Sequence, residues 1–294
     1  MNIGIAGTGK MGTAIAGRLI GLGHTVRAWN RTLGNTKSAK DMGAIVVDSP
    51  HSLMTSSETV ICLLTDEAAL DSVYVGKDGL LSSDLNQKLI IEMSTVSPQK
   101  QKEISSLVIA KNGRYIECPV GGSVGPAKEG KLLGFVGGKD ADVSVARPLL
   151  EQICRRVEHV GTYGAGAMMK LGINLPLMVY WQTLAEALSL VAPLGLDPKR
   201  VIDIFSDSSA GPNLLKNRGP VIAQTLIDGS ASNVNVPIET VRKDIRSMLE
   251  YAKSLNVSLP VTETALIHFD KSSGMGLDKK DSAEHIVRWL SPKK

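Results

Sequence analysis

The sequence predicts an α/β chain in two parts, an N-terminal doubly wound parallel sheet followed by an all-helical domain. Three observations carry the prediction. Short apolar runs alternate with helical patterns through the first half, the glycine-rich stretch GIAGTGKMG stands between the first run and the first helix, and from about Tyr163 onward the patterns are helical only. A length of 294 residues exceeds the usual single domain and gives each part volume for its own core. The boundary is expected in the glycine-rich VGTYGAGA, so that the domains are 1–162 and 163–294.

The elements follow in order. NIGIA reads as a strand, then a helix starts at about Lys10; TVRAWN is the second strand, and AIVV, ETVICLL, KLIIEM and RYIEC follow with helical patterns between them. LLGFVGG is expected to be the last strand, followed by a helix through about Ile153. The second half shows helix stop signals at Pro193-Leu194-Gly195, Gly211-Pro212, Gly219-Pro220, Asn256 and Gly274 to Gly276.

Gly7, Gly9 and Gly12 form G-x-G-x-x-G at the position where a Rossmann-type sheet binds a dinucleotide, after the first strand and opening the first helix. Gly7 permits the tight turn, Gly9 lets backbone approach a pyrophosphate, and Gly12 allows close packing of helix on sheet. Thr8, Lys10 and Met11 share the loop, whose free N–H groups at the helix start are suited to phosphate. At the end of the second strand an acidic residue would accept the ribose hydroxyls of NAD; here the stretch is Asn30-Arg31-Thr32. A neutral amide, a planar cation and a hydroxyl favour the 2′-phosphate of NADP, with NAD as the other possibility and a solvated surface arginine as the plainer reading of Arg31.

Composition excludes several other classes. Hydrophobic residues make up 43% and charged residues 21%, the balance of an ordinary globular chain. The net charge of +4 is spread, with no basic block longer than the terminal pair Lys293-Lys294, so nucleic acid is not an expected partner. Cys62, Cys118 and Cys154 are widely spaced, without C-x-x-C or neighbouring histidines, which fits a reducing compartment and no metal site. The chain is read as lacking a signal peptide and as cytoplasmic. The apolar run after Lys170, broken by Asn174, Pro176, Gln182 and Glu186, is read as falling short of the roughly 20 apolar residues a bilayer needs, and so as a buried helix.

That run, GAGAMMKLGINLPLMVYWQ, poses the main chemical question. Lys170 and Asn174, four residues apart, project from one helix face about a turn apart, in a helix otherwise so apolar that it is expected to be buried nearly all round. A lysine in such a setting either snorkels its ammonium to water or faces a polar cavity. Pro176 removes a helical N–H and pushes against the carbonyl of Gly172, so a bend is expected there, with that carbonyl facing the cleft.

Four stretches taken together, GIAGTGKMG, MSTVSP at 93–98, CPVGGSVGPAKEGKL at 118–132 and GAGAMMKLGIN at 164–174, with Lys243-Asp244 within VRKDIRSM, resemble the β-hydroxyacid dehydrogenase family nearly end to end. The resemblance implies that Lys170 is the catalytic lysine and Asn174 its helix partner, and that Leu64, Thr65, Thr95 and Lys243 line the cofactor. Ser94, Gly121, Gly122 and Ser123 then fall at the substrate, a small anion whose charged end would meet backbone N–H groups of the glycine-rich loop.

In the reducing direction Lys170 donates a proton to the oxygen on the carbon that receives hydride; in the oxidising direction its neutral amine removes that proton. Burial or nearby positive charge would have to lower the lysine from its free value of about 10.4 for the second role. The chain departs from the family in its loop: Glu117 stands where aspartate is usual, Gly121-Gly122-Ser123 where Ser-Gly-Gly is usual, and Gly125-Pro126-Ala127 where x-Gly-Ala is usual. Two other readings are an imine reductase-like enzyme, whose family generally lacks a lysine at this place, and a non-catalytic dinucleotide-binding module. A homodimer or homotetramer is expected from the apolar helical half.

Overall fold

The computed structural model describes residues 1–209 and 211–291; the terminal pair Lys293-Lys294 lies outside them. The chain forms two compact units, Met1–Lys170 and Leu171–Lys294.

The first unit runs β1 (Asn2–Ala6), α1 (Lys10–Gly21), β2 (Thr25–Trp29), α2 (Lys37–Asp41), β3 (Ile45–Val46), α3 (Pro50–Thr55), β4 (Thr59–Cys62), α4 (Glu67–Val75), β5 (Leu89–Glu92), α5 (Pro98–Ala110), β6 (Arg114–Glu117), β7 (Val120–Gly121), α6 (Val124–Glu129), β8 (Leu132–Gly138), α7 (Asp140–Ile153) and β9 (Cys154–Gly161). The sheet order is β3-β2-β1-β4-β5-β6-β8-β7, with β9 on β8. Six strands from β3 to β6 are parallel, the doubly wound arrangement expected of alternating strand and helix.

Period-two alternation in these strands builds the two faces. Ile3, Ile5, Ile61, Ile91 and Ile116 point into a core with α1 and α7, while Ala6, Val60, Cys62, Ile90 and Tyr115 point into another with α3, α4 and α5. Strands buried on both sides read as continuous apolar runs, which is why they were legible as short apolar words.

Two features add to the expected parallel sheet with LLGFVGG as its last strand. That strand, β8, is antiparallel to β6 and to β7, and an eight-residue edge strand, β9, follows α7 and pairs parallel to β8. β9 carries Arg155, Arg156, Glu158 and His159 on a largely unburied edge, so it offers little of the apolar alternation by which a strand is recognised.

α8 (Ala165–Val191) begins in the first unit and carries the chain into the second, which continues with α9 (Pro198–Asp207), α10 (Asn213–Asp228), α11 (Ile238–Ser254), α12 (Pro260–Gly274) and α13 (Ala283–Leu290). Its core joins Leu171, Trp181, Leu184 and Leu188 of α8 to Ile222, Ile245, Phe269 and Ile286. The expected stop at Gly219-Pro220 does not occur: α10 runs through it, because Pro220 removes one N–H while Gly219 lets the helix press on Ile202, whose methyl would lie 2.9 Å from an added Cβ.

α8 likewise continues unbroken through Pro176, so the expected bend there does not end the helix. Nor is α8 buried all round within the chain: Met169, Ile173 and Leu190 are exposed, Leu190 by 83%. The stretch Ala165–Leu194 is, among the described residues, the one helix long and apolar enough by length and composition to cross a membrane, which corrects the expectation that the run was too short. Its inward residues are those that build the helical core.

Candidate active site

The carboxyl ends of β1, β2, β4, β5 and β6 define one edge of the sheet, and the loops leaving it bring most of the sequence-predicted residues together. Leaving β1, Gly7 adopts φ +98° and presses so close to the next loop that a Cβ there would sit 2.2 Å from the Leu63 carbonyl oxygen. Gly12 packs against Gly7 at 1.9 Å by the same measure, whereas a Cβ on Gly9 would meet nothing within 4 Å. The three glycines thus divide the work of turn, open approach and helix contact. Gly9 also occupies the N-cap of α1 and offers no side-chain cap to the first-turn N–H groups, which fits an anion being held there. Lys10 is exposed, and Met11 packs partly against the sheet core.

Asn30, at the end of β2, meets the glycine loop. Its Oδ1 accepts the Thr8 N–H at 3.1 Å and its Nδ2 donates to the Thr32 carbonyl at 3.0 Å, so it ties the glycine loop to the end of β2. The Thr8 hydroxyl donates to the Asn35 carbonyl at 3.0 Å and completes the brace. Arg31 and Thr32 lie exposed beside it.

A second brace links the β4 and β5 loops. The N–H of Leu64 donates to Ser94 Oγ at 2.7 Å, and the Ser94 N–H donates to Glu92 Oε1 at 2.8 Å. Ser94, buried, thus ties down the loop that carries Leu64 and Thr65; Thr65 itself donates to Asp66 at 3.0 Å, next to the cap of α4. Thr95 follows on the same β5 loop, half-buried.

Glu92 is fully buried at the end of β5 and receives the Tyr74 hydroxyl on Oε2 at 2.8 Å. Desolvation, against the pull of the hydrogen bonds from Ser94 and Tyr74, pushes its carboxyl up to about 7. Glu117 sits beside it in register on β6, also buried, and desolvation raises it likewise to about 7. Neither acid was assigned a role from the sequence, although a charged residue ending an otherwise apolar strand word, as in KLIIEM and RYIEC, is the signal that could have found them.

The loop after β6 carries Gly121, Gly122 and Ser123. Gly122 adopts φ +125° and Ser123 opens α6 without a side-chain cap bond, both exposed, so their backbone and hydroxyl are accessible. Lys170, half-buried, closes the first unit in the second turn of α8, and Asn174, 7% exposed, follows one turn on. Lys243 lies on α11 of the helical unit, its Nζ 2.9 Å from Asp244 Oδ1. Among the described residues no cluster of His, Cys, Asp and Glu has the makings of a metal site, and the three cysteines are buried thiols.

A doubly wound sheet with this glycine turn, followed by a helical unit, defines the class of dinucleotide-binding proteins. Residues 2–161 match the NAD binding domain of 6-phosphogluconate dehydrogenase, and residues 164–290 match the NAD-binding domain of NADP-dependent 3-hydroxyisobutyrate dehydrogenase. The chain is 31% identical to glyoxylate/succinic semialdehyde reductase 1 of Arabidopsis thaliana over 96% of each chain, and 31% identical to 3-hydroxyisobutyrate dehydrogenase of Pseudomonas aeruginosa over 88% of each. Its fold superposes on the solved structure of Psf3 in complex with NADP+ and 2-OPP with a TM-score of 0.88, at 25% identity, covering 98% of this chain and 100% of that one. The chain belongs to the β-hydroxyacid dehydrogenase family and is an NAD(P)-dependent enzyme acting on CH–OH groups.

Glu92 makes stability depend on pH in a defined sense. The folded chain keeps its proton up to about pH 7, whereas unfolded the carboxyl ionises near its ordinary 4.5, so its contribution is complete below about 4.5 and is lost as pH rises through 7. Glu92→Gln retains partners for Tyr74 and the Ser94 N–H without the ionisation. Urea midpoints should therefore show the wild type losing ground to the variant between about pH 4.5 and 7. A difference that stays constant over that range would contradict the assignment.

Proposed function

We propose that this enzyme interconverts a small carboxylate-bearing aldehyde or ketone and its β-hydroxyacid, prefers NADP(H), and uses Lys170 as general acid and base. The observation that carries the reading is the place of Lys170: a half-buried lysine in the second turn of α8, directly after the glycine-rich start of that helix, with the buried amide of Asn174 one turn further on. The similarity to a glyoxylate/succinic semialdehyde reductase and a 3-hydroxyisobutyrate dehydrogenase supports the substrate class.

A bound nicotinamide supplies or takes the hydride. The chain's residues do the rest. Backbone N–H groups from Gly7 to Gly12 hold the pyrophosphate, while Leu64, Thr65, Thr95 and Lys243 line the cofactor. Arg31 offers a planar cation to a 2′-phosphate; it is exposed, with no hydrogen bond or ion pair to any of the described residues, and Asn30 beside it is neutral. The N–H groups of Gly121, Gly122 and Ser123 take the substrate carboxylate, and the Asn174 amide orients the reacting end. Lys170 as ammonium gives its proton to the developing alkoxide during reduction and takes it back as amine during oxidation. Copies of the chain associate through the helical unit, a reading supported by the exposure of Leu190, Leu194, Val261 and Ile267.

Two substitutions test this reading with glyoxylate, succinic semialdehyde and 3-hydroxyisobutyrate as probes. Lys170→Ala should lower kcat by roughly 10²–10⁴-fold while NADPH still binds with a Kd near that of the wild type; turnover surviving at a wild-type rate would remove the lysine from the chemistry. Arg31→Asp should move the ratio of kcat/KM for NADPH over NADH by about tenfold or more toward NADH. An unchanged ratio would make Arg31 a plain surface residue.

A further inference from the structure

The chain spends a buried carboxyl group where the sheet meets the first turn of α8. Glu117 ends β6, and its Oε1 accepts the N–H of Gly166 at 2.9 Å. Gly166 is the second residue of α8 and Lys170 lies four residues on, a little over one helical turn.

Two segments lack side chains where this contact is made. A Cβ on Gly137 of β8 would come within 2.2 Å of Glu117 Oε1, and one on Gly166 would lie 2.4 Å from the Phe135 carbonyl oxygen and 3.3 Å from Glu117 Cδ. Gly164, just before the helix, takes φ +92°. The other carboxyl oxygen, Oε2, is buried without a hydrogen-bond partner. The N–H groups of Gly164 and Ala167 also favour the charged carboxyl, so the side chain is held for its meeting with the start of α8, where an incompletely paired buried carboxyl is a cost that an apolar filler would avoid.

We propose that Glu117 is a positioning residue for Lys170: by holding the Gly166 N–H it fixes where α8 starts, and so where the second turn carries the amine. The inference rests on Lys170 being the catalytic group. Burial keeps the Glu117 carboxyl protonated up to about pH 7, and its Oε1 accepts the N–H in either form, so the position of that oxygen matters more than the charge. A purely structural plug would instead affect stability and leave the amine as it was.

The test compares Glu117→Leu, which removes the acceptor, Glu117→Gln, which keeps it, and Glu117→Asp, which withdraws it by one methylene and serves if the leucine variant does not fold. Lysine acetylation with an N-hydroxysuccinimide ester, mapped by mass spectrometry, reads the environment of each amine without turnover. The leucine or aspartate change should alter the labelling rate of Lys170 at least threefold and leave exposed Lys131 and Lys279 unchanged, while the glutamine variant stays within twofold of wild type. Equal Lys170 rates in all variants that fold would overturn the proposal.

In glyoxylate reduction with NADPH, the leucine or aspartate change should lower kcat tenfold or more, with the Kd for NADPH within twofold, and should add nothing further in a Lys170→Ala background. A full additional loss in that background would also overturn it. Should Lys170→Ala itself keep wild-type turnover, the catalytic reading of the lysine fails, and the labelling rates alone decide whether Glu117 positions it.

Discussion

At the carboxyl edge of the sheet the backbone is packed more tightly than any side chain allows. Gly7 against Leu63, Gly12 against Gly7, Gly137 against Glu117 and Gly166 against Phe135 are all contacts that an added Cβ would close to between 1.9 and 2.4 Å. The consequence is mechanical. Loops that elsewhere would be pliant are held by close neighbours, three of them main chain and one the Glu117 carboxyl, so the fold itself holds the N–H groups at the start of α1 and the first turn of α8 in place.

Polar side chains complete that rigidity from beneath. Asn30 ties the glycine loop to the end of β2, Ser94 ties the β4 loop to the β5 loop, and Glu92 holds Ser94 in turn through the Ser94 N–H. The two buried acids are expensive in an apolar sheet, and both respond by holding their protons to about pH 7. They persist because each oxygen that accepts an N–H locates a loop that leaves the edge.

Much of this was legible in the sequence, for identifiable reasons. Strands buried on both faces are apolar words, and a glycine turn between strand and helix has few other uses, so the sheet, Gly7, Gly9 and Gly12 could be read directly. Lys170 stood out because a cation in an apolar helix needs a reason. What escaped depends on tertiary partners. That Asn30 and Ser94 also brace their loops shows only in the donor or acceptor each meets in the fold. Glu117 looked like a substituted aspartate, because nothing near it in the chain announces Gly166, 49 residues away. β9 hid behind its charged edge, and Pro220 failed to stop a helix whose packing outweighs one lost hydrogen bond.

The proposed chemistry rests on one amine meeting the oxygen whose carbon is oxidised or reduced. A crystal structure of the enzyme with NADP+ and 3-hydroxyisobutyrate measures that meeting directly. It should show the Nζ of Lys170 at about 2.7–3.2 Å from the substrate hydroxyl, on the side of the nicotinamide. An Nζ bonded only to protein or water, with the hydroxyl held by another group, would contradict it.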